Sequence, residues 1–294
     1  MFESFESRRF LVDGAEIHGR VGGTGPALLL LHGHPQTHVM WHRVANDLAQ
    51  QFRVVALDLR GYGDSSRPLS DESHEAYSKR RMARDAVDVM QQLGHDRFLL
   101  CAHDRGARVA HRLALDHADR VQRLMLLDIA PTLPMYEQTS ERFARAYWHW
   151  FFLIQAAPLP ERLIEADPPS YVTNVMGRRH AGLSVFDPHA LAEYKRCIGI
   201  PGTAHSICED YRASAGIDLE HDRADREAGR KLDMPTRVLW GAHGTVGQCF
   251  DVLGLWRAAA NHVSGRALHC GHYVAEEQPA ELLGEMLAFF KDKP

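Results

Sequence analysis

Arg97-Phe98-Leu99-Leu100-Cys101-Ala102-His103-Asp104-Arg105-Gly106 is the stretch on which the reading of this chain turns. The apolar run Arg97 to Cys101 predicts a buried strand, and the residues from about Gly106 to His117 predict a helix. Small residues at 102 and 106 let strand and helix approach closely, with a carboxylate between them. Working outward, Ala27 to Leu31 and Arg53 to Asp58 read as buried strands ending in glycine-marked turns, His32-Gly33-His34-Pro35 and Leu59-Arg60-Gly61-Tyr62-Gly63. Arg81 to Leu93 reads as a helix closed by Gly94, and Arg123 to Leu127 as a further strand ending at Asp128. This alternation predicts an α/β protein with a mostly parallel sheet.

The rhythm breaks after Ala130. From Pro131 to about Gly216 the sequence is aromatic and interrupted by prolines, as in Tyr147-Trp148-His149-Trp150-Phe151-Phe152 and Pro168-Pro169, with no buried strand. Strands resume at Thr236 to Gly241 and Gly265 to Leu268, and Ala280 to Phe290 reads as a closing amphipathic helix. The expected organisation is a core of residues 1–130 and 217–294, split by a helical cap over 131–216.

Composition narrows the partners. The 294 residues are 45% hydrophobic, enough for a full core, and carry a formal charge of −4. Lys and Arg are scattered, which argues against nucleic acid and for a small-molecule partner. Five separated cysteines without C-x-x-C spacing fit reduced thiols, and no stretch reads as a signal or a membrane span, so a cytoplasmic protein is expected. His34, His38 and His42 stand at helical spacing, but Pro35 breaks the helix and no Cys or carboxylate completes a ligand set, so no metal is expected.

Ala102-His103-Asp104-Arg105-Gly106 occupies the place of the nucleophile elbow, G-x-S-x-G, in which the middle residue sits on a strained turn. Ala102 replaces the first glycine and Asp104 the serine. A helix N-cap is the alternative role for such an Asp. As a nucleophile, a carboxylate displaces a leaving group from an sp³ carbon and leaves an alkyl ester, which suits halides and epoxides. Hydrolysing that ester needs a base and a group to orient it. His272 in Cys270-Gly271-His272 fits the base, with His269 as its competitor. No carboxylate follows the Thr236–Gly241 strand before Asp251, which leaves Asp128 as the orienting acid. The backbone N–H groups of His34 and Arg105 are the candidate oxyanion donors. The His34 side chain could act as well, or only pack.

Arg105 and Arg108 fall on the first turn after the elbow, where an arginine fork suits a substrate carboxylate, although either could pair with an acid instead. His149, Trp150 and Tyr211 could donate to a departing halide, although an aromatic cluster at helical spacing also suits a core.

Taken together, His32-Gly33-His34-Pro35-Gln36, Asp58-Leu59-Arg60-Gly61-Tyr62-Gly63, His103-Asp104-Arg105-Gly106, Ala146-Tyr147-Trp148-His149-Trp150, Asp210-Tyr211-Arg212 and Gly271-His272 resemble the fluoroacetate (haloacetate) dehalogenases. These stand within the larger group of haloalkane dehalogenases and epoxide hydrolases. The resemblance implies an α/β-hydrolase fold with an eight-stranded sheet and a triad of Asp104, His272 and Asp128. It also implies Arg105 and Arg108 on the substrate carboxylate, and His149, Trp150 and Tyr211 on the halide. A cytosolic homodimer that needs no cofactor, and hydrolysis of a haloacetate to glycolate and halide, are further implications. The nearest rival is an epoxide hydrolase, which uses two cap tyrosines; Tyr136, Tyr147, Tyr171, Tyr194 and Tyr211 keep it open, while Arg105 in place of a tryptophan speaks against it. A ligand-binding protein on a hydrolase scaffold is a third reading, opposed by the complete triad.

Overall fold

The computed structural model describes residues 1–291. Eight strands form one sheet in the order β1-β2-β4-β3-β5-β6-β7-β8. They are β1 (Glu6–Val12), β2 (Ala15–Gly22), β3 (Ala27–Leu31), β4 (Arg53–Leu57), β5 (Phe98–His103), β6 (Val121–Leu127), β7 (Thr236–Gly241) and β8 (Val263–Leu268). From β4 to β8 all pairings are parallel, and one row runs Leu57, Leu31, Ala102, Leu126, Val238, Gly265 across the sheet. Parallel strands share one carboxyl edge, so the turns after β3, β5, β6, β7 and β8 gather on the same side of the molecule.

The antiparallel hairpin of β1 and β2 is not anticipated by the strand pattern of the sequence. Its reason is physical: β1 is an edge strand, Glu-Ser-Arg-Arg-Phe-Leu-Val, with only Phe10 buried, so it lacks the apolar run that marks a central strand. By contrast Leu28 to Leu31 are fully buried, as a strand covered on both faces requires.

Helices α1 (Ala45–Leu48), α2 (Lys79–Gln92) and α3 (Asp104–Asp116) lie before β6, and α4 (Thr132–Glu137) follows it. Ser78 caps α2, its hydroxyl accepting from Arg81 N at 3.1 Å. Helix α3 starts at Asp104 itself, two residues before the position read from the sequence. Further helices α5 (Glu141–Ala146), α6 (Trp148–Leu153), α7 (Leu159–Ala166), α8 (Pro168–Gly177), α9 (Pro188–Ile198), α10 (Thr203–Ala215) and α11 (Ile217–Glu227) also lie between β6 and β7. Gly216 separates α10 from α11, and α11 returns to α3 through Arg112, which pairs with Asp222 at 2.8 Å and Asp225 at 2.5 Å. The chain ends with α12 (Thr245–Cys249), α13 (Val252–Ala259), α14 (Val274–Glu277) and α15 (Pro279–Lys291). No described helix is long and apolar enough to cross a membrane.

Candidate active site

The elbow is built by close approach. Gly106 N–H donates to His32 O at 2.8 Å, and a Cβ on Gly106 would come within 2.8 Å of the Leu31 carbonyl carbon. Asp104 is held at φ +46°, a left-handed conformation that costs about 1–3 kcal/mol for a residue other than glycine. This lifts its carboxylate off the strand end toward the turn after β3. There His34 N–H donates to Asp104 Oδ1 at 2.9 Å, and a Cβ on Gly33 would stand 2.8 Å from that same oxygen. A bare glycine is therefore needed for the two turns to meet.

His272 follows β8, and its Nε2 lies 3.8 Å from Asp104 Oδ2. Its Nδ1 is 2.5 Å from Asp128 Oδ2. The other Asp128 oxygen accepts from Gly241 N at 2.9 Å, so the end of β7 supplies a backbone donor. Asp128 also has positive φ, +50°, aiming its carboxyl from the end of β6 toward the same point. His269 is exposed and meets His243 at 3.2 Å, away from Asp104.

Several groups fix this arrangement from behind. His103 Nε2 donates to the His272 carbonyl oxygen at 2.8 Å; burial foremost, then the adjacent His272, pulls its pKa down to about 4, so it stays neutral. His32 Nε2 accepts from Leu59 N at 3.0 Å, which leaves Nδ1 to donate to Gly33 O at 2.9 Å. His38 does not stand with His34 and His42 but meets Asp58 together with His18. Asp58 Oδ1 receives His38 N and Nδ1 at 2.8 and 2.9 Å, and Oδ2 receives His18 Nδ1 and Asp64 N at 2.7 and 3.1 Å. Four donors occupy that carboxylate, making it a hydrogen-bonded hub beneath the His34 turn.

Burial pushes the Asp104 pKa up, but His272, His103, Arg105 and Arg108 outweigh it and hold the group well below the usual carboxylate range. Asp104 is thus a buried carboxylate that stays ionised.

The two arginines differ from the fork read in the sequence. Arg105 is fully buried and already committed to Asp210: Nε donates to Oδ2 at 2.9 Å, and Nη2 donates to Oδ1 at 2.8 Å, to the Asp210 carbonyl and to Ser214 Oγ. Only Nη1 is left without a partner. Asp210 also takes Lys79 Nζ and, at 2.6 Å, the Tyr62 hydroxyl. Arg108 has no carboxylate partner among the described residues. Its Nη1 donates to Thr132 Oγ1 at 2.8 Å, its Nη2 faces Met135 Sδ, and Nε is left unpaired. Each arginine therefore keeps one nitrogen without a partner, Nη1 of Arg105 and Nε of Arg108, instead of the two that a fork needs.

Two aromatic rings lie on these cations. Tyr211 stacks on Arg105, with 4.1 Å between guanidinium carbon and ring centroid, and Trp150 on Arg108 at 4.6 Å. Trp150 Nε1 and the Tyr211 hydroxyl are buried without partners, as are the Tyr136 and Tyr147 hydroxyls. His149 is buried between His34 and Tyr211, its centroid 6.0 and 5.9 Å from theirs, and burial followed by Arg179 keeps it neutral. The His34 ring meets the Tyr171 hydroxyl at 3.0 Å through Nε2 and leaves Nδ1 unpaired; burial lowers its pKa to about 3.

Sequence reasoning missed Arg179. It lies just beyond α8 in Gly177-Arg178-Arg179-His180, which reads as a polar turn. The fold brings it over the Tyr147 ring at 4.4 Å, within the field of Asp104 and Asp128.

Comparison with known proteins agrees with this architecture. The family model for the alpha/beta hydrolase fold matches residues 26–279. The chain is 44% identical to the fluoroacetate dehalogenase of Burkholderia sp over 292 residues, covering 98% of this chain and 95% of that one. It is 33% identical to the soluble epoxide hydrolase of Corynebacterium sp. (strain C12), covering 95% of each. Among solved structures, a Nostoc sp PCC 7120 protein described as an alpha/beta hydrolase superposes with a TM-score of 0.95 at 52% identity, over 100% of both chains. With an eight-stranded sheet, an Asp-bearing elbow and these relatives, the chain is a hydrolase of the α/β-hydrolase superfamily and belongs to its fluoroacetate dehalogenase family.

Proposed function

We propose that the protein hydrolyses haloacetates, fluoroacetate or chloroacetate, to glycolate and halide, with residues 131–216 acting as the cap over the site. The observation that carries this reading is the set of buried donors without partners: Arg105 Nη1, Arg108 Nε, Trp150 Nε1 and the Tyr211 hydroxyl. A buried donor left unpaired costs about 1–3 kcal/mol, so four together beside an ionised nucleophile call for an anionic ligand. Two acceptors of opposite ends fit them, a carboxylate on the arginines and a halide on the ring donors.

In the first step an Asp104 oxygen attacks the carbon bearing the halogen. A C–O bond forms, the carbon–halogen bond breaks, and the electron pair leaves with the halide, so negative charge passes from Asp104 to the halide. Trp150, Tyr211 and neutral His149 donate to it. In the second step His272 Nε2 takes a proton from water, which attacks the Asp104 ester carbonyl. The backbone N–H groups of His34 and Arg105 receive the oxyanion, and Asp128 holds the resulting imidazolium. Collapse breaks the bond to the glycolate oxygen, which takes a proton, and restores Asp104. The net reaction consumes one water and releases glycolate, halide and one proton.

The test is halide release from fluoroacetate and chloroacetate by the purified protein, with Asp104→Asn abolishing it. No release from any haloacetate would refute the reading. A second reading, epoxide hydrolysis, draws on the unpaired Tyr136, Tyr147 and Tyr211 hydroxyls and on the Corynebacterium relative. Arg108, a buried cation without a carboxylate partner, supports the halocarboxylate over a neutral epoxide. Diol formation from an epoxide with no halide release would favour the second reading.

A further inference from the structure

A cavity of about 130 Å³ opens beside the site, lined by Arg145, Trp148, His149, Arg178 and Arg179 among others. Its depth is set by two residues of different burial. Arg178 is exposed at the rim, whereas His149 is only 3% exposed and stands in the cluster with His34 and Tyr211. The cavity therefore links solvent to the wall of the candidate halide pocket.

Its charge is one-sided. Arg145 is paired with Glu141, but Arg178 and Arg179 have no carboxylate partner among the described residues. Arg179 is half-buried and lies on Tyr147, whose ring is 5.4 Å from His149 and 6.3 Å from His272. Burial opposes the Arg179 charge, yet Tyr147, Tyr273, Asp104 and Asp128 hold its pKa above the ordinary guanidinium value. It is a permanent cation at the boundary between solvent and site.

We propose that Arg178 and Arg179 make this cavity an anion port, through which a haloacetate enters and the halide leaves past His149. The inference rests on the haloacetate reading above. A cleft lined by one sign of charge with low-dielectric walls concentrates oppositely charged ligand and raises its association rate by about 10–10³-fold. Arginine suits the position because its guanidinium is weakly hydrated and hands a small anion on without holding its water. A neutral substrate gains nothing from such a port, so the port also selects for haloacids over epoxides of the same size.

The test is stopped-flow tryptophan fluorescence of bromide and acetate binding, at low and high salt, for wild type, Arg179→Met and Arg178→Glu. Steady-state kcat/KM for chloroacetate and for neutral chloroacetamide is measured alongside. Arg179→Met is expected to slow anion association by about tenfold and to flatten its salt dependence. Arg178→Glu, on an exposed side chain, is expected to slow association in the same salt-dependent way, with chloroacetamide kcat/KM unchanged. Anion association equal to wild type in both variants, with normal melting, overturns the port. If wild type releases halide normally while both variants bind anions at its rate, the port fails and the dehalogenase reading stands. If wild type releases no halide but bromide association still depends on Arg179, the dehalogenase reading fails and the port stands.

Discussion

Replacing Arg108 by methionine removes a charge but keeps a stem of similar length against Trp150, and its consequence follows from which of its donors are already used. Nη1 donates to Thr132 Oγ1 and the Ala130 carbonyl and Nη2 faces Met135 Sδ, so Nε is the nitrogen left without a partner and the donor assigned to a ligand. The variant therefore loses one charge-assisted hydrogen bond to the substrate carboxylate, about 1.5–3 kcal/mol. At about 1.4 kcal/mol per tenfold, kcat/KM for chloroacetate should fall by about 10- to 150-fold. The carboxylate keeps its charge from bound substrate to transition state, so the loss should appear as a raised KM with kcat nearly unchanged. Chloroacetamide, which has no carboxylate, supplies the control. Leaving Thr132 Oγ1 without its donor should also lower stability by about 1 kcal/mol, seen as a small drop in Tm. The assay is halide release across a substrate range for wild type and Arg108→Met. A chloroacetate KM within twofold of wild type would show that Arg108 does not meet the carboxylate.

Two further outcomes test other parts of the site. His272→Gln should alkylate Asp104 but not hydrolyse the ester, giving one equivalent of halide per enzyme and a protein heavier by one carboxymethyl group in intact-mass spectra; continued turnover would remove His272 as the base. Glu276, beside the His272 loop, accepts from the Tyr194 hydroxyl at 2.6 Å, and burial raises its pKa from 4.5 to about 7. Because the folded state binds the proton more tightly, the stability that Glu276 contributes is full below its unfolded pKa and is lost as pH rises through about 7. Glu276→Gln should thus gain on wild type by up to about 3 kcal/mol between pH 4.5 and 8, read from denaturation midpoints. Parallel pH profiles for the two proteins would refute this.

What the sequence discloses depends on how far apart the cooperating residues are. Ala27–Leu31 is legible to the residue because a strand buried on both faces must be apolar throughout. The seat of Asp104 is legible because strand, turn and helix are contiguous, and Asp128 could be inferred because the turn after β7 offers glycines where another acid would stand. The β1–β2 hairpin is not legible, since a solvated edge strand needs no apolar run. The true partner of Arg105 is equally hidden: Asp210 lies 105 residues away and meets it only when α10 packs over α3. Arg179 is hidden for the same reason, a polar turn residue in sequence and a cation over Tyr147 once the chain is folded.

These hidden contacts change how the charges of the site are understood. Arg105 and Lys79 are balanced by Asp210, with Asp218 3.5 Å from Lys79, so that group adds little net charge. Asp128 is engaged with His272. What remains are Asp104 and Asp128 on one side and Arg108 and Arg179 on the other, two charges of each sign, to which in the proposed reaction an incoming haloacetate adds one negative charge. In the proposed alkylation the total does not change: Asp104 loses its charge as the halide gains one. The barrier depends on how well the charge is received at its new position, which is the task of donors fixed in advance. His149 is kept neutral by burial and by Arg179, and in the proposed reaction it donates an N–H to the halide as the leaving group departs as the anion. Fluoride, the poorest leaving halide, depends most on these donors, so replacing Trp150 or Tyr211 should cost fluoroacetate more than chloroacetate.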